Sequence, residues 1–323
     1  MTVALTCGEP AGIGPEIAVA AWAALRGELG LLYIGDPAHL PEGTPWEATD
    51  PAGAPEVMAR ALPVLARDFG APRTPGRPDP THAAHVVDAI AEAVALVSSG
   101  ACSALCTAPI HKQALIDGAA FAYPGHTEFL AALAGGGRRA VMMLACPELR
   151  VVPATIHIPL ADVPAALTAE LLEETIRTTR DALVRDFGID APRLAVAGLN
   201  PHAGEGGKMG REEIETIAPL LERLRGEGFD LAGPLSADTM FHPPARARYD
   251  AAICAYHDQA LIPIKTVDFA SGVNVTLGLP FVRTSPDHGT AFDLAGTGRA
   301  DATSLIAALR MAHELGARRA AVG

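Results

Sequence analysis

Residues 1–16 read MTVALTCGEPAGIGPE, and the fold class follows from this stretch. Residues 3–6 are short, apolar and partly β-branched, which predicts a buried strand. The glycines and prolines from Gly8 to Pro15 predict a tight turn that opens a helix, since glycine permits close backbone approach. Ile17 stands where a dinucleotide-binding fingerprint has its third glycine. A Rossmann phosphate loop is therefore only weakly indicated, and a plain strand-to-helix turn explains the residues at least as well.

The same alternation of short apolar runs with longer helical patterns continues along the chain. We predict strands at 31–34, 104–106, 140–144, 151–156, 194–197 and 251–255, and helices at 83–97, 168–187, 211–225 and 303–315. The segments 36–55 and 70–80 are rich in proline and glycine, which predicts surface loops. Strands that alternate with helices predict an α/β protein with a mostly parallel sheet and helices packed on it.

Composition limits the classes of function. Hydrophobic residues make up 49% of the 323 residues, enough for one large α/β domain or two ordinary ones. Asp and Glu number 37 against 25 Lys and Arg, a net charge of -12. Since an acidic chain repels nucleic-acid phosphates, we expect no nucleic-acid partner. An anionic substrate would have to meet a local cationic pocket.

The N-terminus and the cysteines indicate where the protein works. The first residues lack a cationic leader, and the longest apolar runs are too short to span a bilayer. We therefore expect a cytoplasmic protein without a membrane partner. The five cysteines lack CxxC spacing and lie in or beside apolar runs, which favours reduced, structural thiols. Cys254 is of interest because it lies near a suspected site.

Three histidines follow three predicted strands. His157 follows strand 151–156, His202 follows 194–197, and His257 follows 251–255. Neutral imidazoles gathered at one sheet edge would suit zinc or a similar divalent ion. The spacing is long-range, so the residues alone indicate this site only weakly. Five other histidines lie in predicted loops or on helix faces, where a solvated ring is the default expectation: His39, His82, His85, His242 and His313.

Three loops carry residues that suit ligands. Residues 200–210, NPHAGEGGKMG, combine a histidine, a lysine and four glycines where a predicted strand leads into a helix, which favours a ligand-facing loop over a plain turn. Lys265, Asn274 and Arg283 offer two cations and an amide for a phosphate or carboxylate, and a solvated loop is an equally good interpretation. Residues 283–296 suit either a loop that wraps a nucleotide or a capped turn.

Several of these segments together resemble the 4-hydroxythreonine-4-phosphate dehydrogenase family. The matching blocks are GHTE at 125–128, NPHAGE at 200–205, GPLSADT at 233–239, YHDQ at 256–259 and SPDHGTA at 285–291, with Lys265, Asn274 and Arg283 in their expected places. Their order and separation match from about residue 5 to the C-terminus. Glu9, Ala260 and Ala302 depart from the usual pattern, and none of them is a proposed ligand.

The resemblance implies a fold and a reaction. It implies an isocitrate/isopropylmalate dehydrogenase-like fold: three-layer α/β/α with a mostly parallel sheet, in two domains with the site in the cleft. We expect residues 1–124 plus 281–323 to form the first domain, with the nucleotide loop, and 125–280 the second. The implied reaction is oxidation of 4-phosphooxy-L-threonine by NAD or NADP in vitamin B6 synthesis, by a homodimer that shares its metal across the interface.

The resemblance also implies residue roles. His157, His202 and His257 match metal ligands, His257 being expected from the neighbouring subunit, with zinc favoured over magnesium or cobalt. The positions that match substrate contacts are His126, Thr127, Lys265, Asn274 and Arg283. The positions on the loop that resembles an adenosine-binding loop are Asp287, His288, Gly289 and Asp293. Asp238 lies near the implied metal and is a candidate proton acceptor.

Three other interpretations remain open from the sequence. A dehydrogenase of the same fold could act on threonate or erythronate 4-phosphate, which lack the amine. A metal-dependent hydrolase or lyase could use the three histidines to activate water. A non-catalytic metal or phosphate binder would turn over none of these substrates.

Overall fold

The computed structural model describes residues 1–135 and 139–322. The strands are β1 Thr2–Thr6, β2 Gly30–Gly35, β3 Trp46–Ala48, β4 Leu62–Ala66, β5 Ala104–Thr107, β6 Val141–Cys146, β7 Leu149–Pro153, β8 Arg193–Ala197, β9 Asp230–Leu235, β10 Ala251–Cys254, β11 Val273–Leu277 and β12 Arg283–Pro286. The α-helices are α1 Gly14–Leu25, α2 Ala54–Val57, α3 Ala83–Ser98, α4 Lys112–Ala119, α5 His126–Ala134, α6 Val163–Ala166, α7 Ala169–Arg185, α8 Ala218–Gly226, α9 Pro243–Arg246, α10 His257–Val267 and α11 Thr303–Val322.

The chain divides into two compact units. Unit 1 comprises Met1–Ala140 with Val273–Gly323, and unit 2 comprises Val141–Gly272. The domain limits expected from the sequence, 1–124 plus 281–323 and 125–280, stay a prediction. Strands of unit 1 follow the order β3-β4-β2-β1-β5-β12-β11, in which only the β11–β12 pair is antiparallel among the described strands.

Unit 2 contains strands in the order β6-β7-β10-β8-β9. The neighbours from β7 to β9 pair in parallel, whereas β6 and β7 form an antiparallel hairpin. Parallel strands need both faces covered, so their residues are apolar in continuous runs. Thus β10 is fully buried, and α10 packs on β7 and β10. The predicted α/β class with a mostly parallel sheet is confirmed.

Helices cover the sheet of unit 1 because their apolar residues recur at helical spacing. Helix α3 buries Val86, Ile90 and Val94 on one side and packs on β1, β2 and β5. Helix α11 packs on β5 and β12, and α1 packs on α11. Among the described residues, no helix is both long and apolar enough to cross a bilayer.

Two local predictions were wrong in part, and a third was confirmed with an irregularity. Segment 36–55, expected to be a surface loop, contains β3 and α2. The helix expected at 211–225 is confirmed: its first turns are the π turn Glu213–Ile217, which continues directly into α8 with Pro219 in the first turn of α8. Proline lacks a backbone donor, so the change from π to α hydrogen bonding falls beside Pro219. Strand β7 ends at Pro153, so the backbone leaves the sheet four residues before His157.

Two histidines expected to be solvated are buried. His39 is 1% exposed and His82 is 2% exposed. The Nε2 atoms of both rings lie within hydrogen-bond distance of the Ala71 carbonyl oxygen, at 2.8 and 3.0 Å. Phe69 packs edge-on against His39, and burial lowers the pKa of that ring. The Ala71 carbonyl that both rings contact lies in a loop, which sequence periodicity does not locate.

Replacement of Gly118 by alanine tests the packing of α4. An ideal Cβ at Gly118 would lie 1.9 Å from the Pro80 carbonyl oxygen, so backbone would have to move. We expect Gly118→Ala to lower the free energy of unfolding by about 1–3 kcal/mol, measured by urea denaturation. Gly226 in α8 is the control, because no described atom lies within 4 Å of its Cβ position. We expect Gly226→Ala to change stability by no more than about 0.5 kcal/mol. Equal effects of the two substitutions would contradict this packing.

Candidate functional site

The three predicted metal ligands follow three adjacent parallel strands of unit 2. The neighbours β7, β10 and β8 lie side by side, and their carboxyl ends face the same sheet edge. His157 follows β7, His257 follows β10, and His202 follows β8. Ligands bind at this edge of open α/β sheets, because the loops that leave the strands there can carry polar groups.

Two side chains join these strand ends through Ala255. The Thr155 hydroxyl donates to the Ala255 carbonyl oxygen at 2.8 Å. The Gln259 amide oxygen accepts from the Ala255 N–H at 2.6 Å, and its Nε2 donates to the Gly198 carbonyl oxygen at 2.9 Å. Thr155 therefore connects the segment of His157 to that of His257. Gln259 connects the segment of His202 to that of His257. Sequence reasoning gave neither residue a role, although a polar side chain just past a buried strand was the available signal.

The rings of His157 and His257 lie together within one chain. Their centroids are 5.6 Å apart and the rings are tilted by 45°. Two imidazoles that bind one tetrahedral ion at about 2.1 Å place their centroids about 5 Å apart, a separation close to this one. The Asp258 carboxylate lies 2.7 Å from His257 Nδ1. Because a carboxylate accepts hydrogen bonds, it favours the His257 tautomer with its proton on Nδ1. That tautomer leaves the Nε2 lone pair free for a metal.

His202 lies on an unusual backbone turn. In Pro201–Gly207 the φ angles of residues 202–206 are all positive, and His202 itself has φ 53°. His157 also has positive φ, at 52°. For residues other than glycine, the left-handed region costs roughly 1–2 kcal/mol each, so surrounding contacts must maintain it. Such strain occurs most often at functional sites.

The three histidines do not form a complete cluster within the described part of one chain. There, three potential ligand atoms come within 4.8 Å of one another at Cys146, Glu148 and Asp268 instead. Burial raises the pKa of the Cys146 thiol, and the Asp268 carboxylate accepts hydrogen bonds from the Ala270 and Ser271 N–H groups. We assign no ion to that group, because its atoms already serve the local turns. Donation of His257 by a neighbouring subunit stays a prediction.

Unit 1 contains a buried cation. Arg283 on β12 is 4% exposed. Its Nε and Nη2 donate to the Thr107 hydroxyl at 3.2 and 2.7 Å, and its Nη1 donates to the Thr276 hydroxyl at 2.9 Å. Within the described ranges no carboxylate pairs with this guanidinium, and two of its five N–H groups have no acceptor. Burial lowers its pKa to about 10, so it is still charged at neutral pH.

Strand register explains why these groups meet. Arg283 pairs with Thr276 across β11–β12, so both side chains lie on one face, and Asn274 is two residues away on the same face. Leu105 pairs with Arg283 across β5–β12, and Thr107 is again two residues further along. Asn274 and Arg283 were predicted as substrate contacts and share this face. Thr107 and Thr276 were missed, because only register reveals their position.

His126 begins α5, where Thr127 follows it. Its Nε2 atom is buried and, among the described residues, has no hydrogen-bond partner. Burial, followed by the nearby Arg283 charge, holds the pKa of His126 well below its usual value of 6.5. A neutral imidazole and an incompletely paired guanidinium in one neighbourhood suit an anionic ligand.

The predicted nucleotide residues lie on one loop after β12. The Asp287 N–H donates to the Ser304 hydroxyl at 3.2 Å, and His288 Nδ1 lies 3.0 Å from the Gly289 carbonyl oxygen. Asp293 is exposed. The Ile13 N–H of the first turn donates to the Thr290 carbonyl oxygen at 3.0 Å. At Gly12 an added Cβ would lie 2.9 Å from that same oxygen, so this glycine allows the two loops to approach.

The remaining predicted residues lie in unit 2. Lys265 is on α10, not in a loop, and its ammonium lies 5.7 Å from the centroid of the exposed Phe269 ring. Asp238 follows β9, is exposed, and accepts a hydrogen bond from the Ser236 hydroxyl at 2.6 Å. All five cysteines are buried and unpaired. Burial raises the pKa of Cys254, so this thiol is not poised to react at neutral pH.

Comparison with known proteins decides the family. The family described as "Pyridoxal phosphate biosynthetic protein PdxA" matches residues 31–312. The chain belongs to this family. It is 64% identical to a 4-hydroxythreonine-4-phosphate dehydrogenase of Roseobacter denitrificans, covering 98% of this chain and 97% of that one. It is also 64% identical to the enzyme of that name from Paracoccus denitrificans, with 98% of each covered. The resemblance inferred from the sequence blocks is thus confirmed.

Solved structures of PdxA relatives share the fold over almost their full length. The 4-hydroxythreonine-4-phosphate dehydrogenase of Klebsiella pneumoniae superposes with a TM-score of 0.87 at 36% identity, covering 98% of both chains. A terephthalate 1,2-cis-dihydrodiol dehydrogenase of Burkholderia xenovorans superposes with a TM-score of 0.66 at 29% identity, covering 97% of both. The same architecture therefore serves dehydrogenases named for different substrates, and the side chains of the site must decide between them.

The lowered pKa of the half-buried His126 predicts a loss of stability in acid. Because its pKa is lowered by folding, the unfolded chain binds more protons once the pH falls below 6.5, and stability then declines. We expect His126→Asn to make this decline shallower, seen in urea midpoints at about pH 7.5 and about pH 5.5. Part of the decline in stability should remain in His126→Asn, because burial also lowers the pKa of His39. The control is His242→Asn, at an exposed position. An unchanged slope in His126→Asn would show that the ring is protonated in the folded protein.

Proposed function

We propose that the protein oxidises 4-phosphooxy-L-threonine with NAD or NADP, giving 2-amino-3-oxo-4-phosphooxybutanoate. That product then loses carbon dioxide to give 3-amino-2-oxopropyl phosphate. The observation that carries the proposal is the buried Arg283 guanidinium, which no carboxylate neutralises within the described ranges. A buried charge without a partner is costly, so an anionic substrate group is its natural complement. The names of the relatives supply the substrate.

The phosphate is assigned to residues that donate hydrogen bonds. Arg283 keeps two N–H groups for phosphate oxygens, and a guanidinium matches phosphate geometry in a two-point contact. His126, Thr127 and Asn274 are assigned an imidazole, a hydroxyl and an amide contact, and Lys265 is assigned an ammonium contact. Fixing the phosphate would orient the carbon that bears the secondary alcohol.

The metal is assigned to His157, His202 and His257. Three nitrogen ligands favour zinc, whereas magnesium prefers oxygen ligands, and cobalt is the next candidate. A bound divalent ion would polarise the substrate's hydroxyl and keto oxygens, while the nicotinamide accepts the hydride. Asp258 fixes the His257 ring form, and Asp238 is the candidate acceptor for the hydroxyl proton. Asp287, His288, Gly289 and Asp293 are assigned to the adenosine part of the cofactor.

We assign the protein to the cytoplasm as a homodimer with the metal at its interface, acting without nucleic-acid or membrane partners. The net charge of -12 supports the absence of a nucleic-acid partner, because like charges repel.

An assay of nicotinamide reduction tests the reaction and its metal. Purified protein with 4-phosphooxy-L-threonine and NAD or NADP should produce the absorbance of reduced nicotinamide. A chelator should abolish turnover, and added zinc should restore it. His202→Ala should abolish turnover and reduce bound metal, while His242→Ala, at an exposed position, should behave as wild type. Full activity of His202→Ala with one metal per site would refute the ligand assignment.

Comparison of substrates separates the related activities. Threonate and erythronate 4-phosphate present a hydroxyl in place of the amine, so higher kcat/KM on either would reassign the substrate. Product formation without NAD or NADP would indicate the hydrolase or lyase alternative instead. Absence of turnover on every candidate would indicate a binding protein.

Thr107 provides a test of the anion site. Thr107→Val keeps the shape of the side chain but removes the acceptor for two Arg283 N–H groups. We expect KM for the phosphorylated substrate to rise by about tenfold, because the guanidinium is no longer held by the hydroxyl and must be ordered when the phosphate binds, at a cost of about 0.5–1.5 kcal/mol. Thr107→Ser keeps the hydroxyl and should remain within about threefold of wild type. Arg283→Ala should raise KM further. Unchanged KM in both Thr107→Val and Arg283→Ala would place the phosphate elsewhere.

A further inference from the structure

The turn that carries His202 is built around a buried carboxylate. Glu213 is 2% exposed, although charged side chains rarely leave water without a reason. Its Oε1 accepts from the Asn200 N–H at 2.7 Å, and its Oε2 accepts from Asn200 Nδ2 at 3.0 Å. It belongs to the π turn Glu213–Ile217, an irregularity of the kind that often marks functional sites.

The contacts of Glu213 extend to the far side of the turn. Gly204 has φ 80°, and a Cβ added there would lie 2.6 Å from Glu213 Oε2. The carboxylate therefore packs directly on the left-handed backbone two residues beyond His202. The Asn200 amide cannot simply rotate to suit a different partner, because its Nδ2 also donates to Glu212 Oε2 at 2.7 Å.

We propose that Glu213 is a positioning residue for the metal site: its carboxylate maintains the left-handed turn that presents His202 to the ion. The inference rests on the proposed function only in taking His202 as a ligand. The φ angles of His202, Ala203 and Glu205 are all unfavourable for side-chain-bearing residues. Without the hydrogen bonds at its start, the turn would populate other backbone conformations. The ligand would then have to be ordered when the metal binds, which weakens affinity.

Glu213→Gln removes the negative charge of the side chain but keeps its shape. A glutamine oxygen can still accept from the Asn200 N–H, but its amide nitrogen would face Asn200 Nδ2, and two donors would meet. Zinc affinity of the metal-free full-length protein, measured by competition with a chromophoric chelator, should fall by about tenfold or more. Amide hydrogen exchange in residues 202–207 should accelerate. The visible absorption of the cobalt(II)-loaded protein should change, which a merely stabilising residue would not cause.

Glu215→Gln is the matched control. Glu215 lies in the same π turn but is exposed and pairs with Arg211, so its replacement removes the same charge without touching the loop. We expect zinc affinity, exchange and the cobalt spectrum of this variant to match wild type. Gly204→Ala is the second variant, because its methyl group would displace the Glu213 carboxylate from the other side. It should reproduce the effects of Glu213→Gln.

The outcomes separate this inference from the proposed function. If His202→Ala weakens zinc binding but Glu213→Gln and Gly204→Ala bind zinc as wild type does, the positioning role is overturned. If His202→Ala leaves zinc affinity unchanged, the ligand assignment fails, and the positioning role fails with it. If Glu213→Gln does not fold, Gly204→Ala decides: weaker zinc binding with faster exchange supports the role, and wild-type behaviour overturns it.

Discussion

The candidate metal site depends on one constraint, the parallel alignment of β7, β10 and β8 in unit 2. Parallel strands bring their carboxyl ends to one edge, so segments far apart in sequence leave the sheet side by side. Hydrogen bonds of Thr155 and Gln259 to Ala255 then fix how those segments emerge. The 5.6 Å between the His157 and His257 rings is a consequence of that arrangement. The spacing of the histidines along the sequence does not predict how far apart their rings lie, because the sheet sets that distance.

The proposed anion site in unit 1 follows a different principle. Its cation is buried, and hydroxyl groups surround it in place of a carboxylate. Hydroxyls satisfy part of the hydrogen-bonding capacity of Arg283 without neutralising its charge, so the charge remains available for a ligand. An internal ion pair would stabilise the free protein and compete with substrate. We infer that this arrangement reduces the stability of the empty site in favour of binding, as is common at functional sites.

The sequence pattern predicts the alternation of strands and helices but not the details that depend on distant partners. Continuous apolar runs identified β1, β2, β5, β8 and β10 to within one or two residues, since buried parallel strands have few other interpretations. The histidines of the metal hypothesis were found because they follow such strands. Segment 36–55 was misassigned because its proline and glycine content concealed a short strand and helix. The burial of His39 was missed because its partner is a loop carbonyl. Thr107 and Glu213 were missed because only strand register and a strained turn reveal them.

Crystallography with anomalous scattering at the zinc absorption edge tests the account most directly. Crystals of the zinc-loaded protein should show one strong anomalous peak per site within bonding distance of His157 and His257, at about 2.1 Å from a nitrogen of each ring. His202 should complete the set of three ligands, and the map should show whether His257 comes from the same chain or, as proposed, from the neighbouring subunit. A peak at Cys146, Glu148 and Asp268, with none at the histidines, would contradict the account.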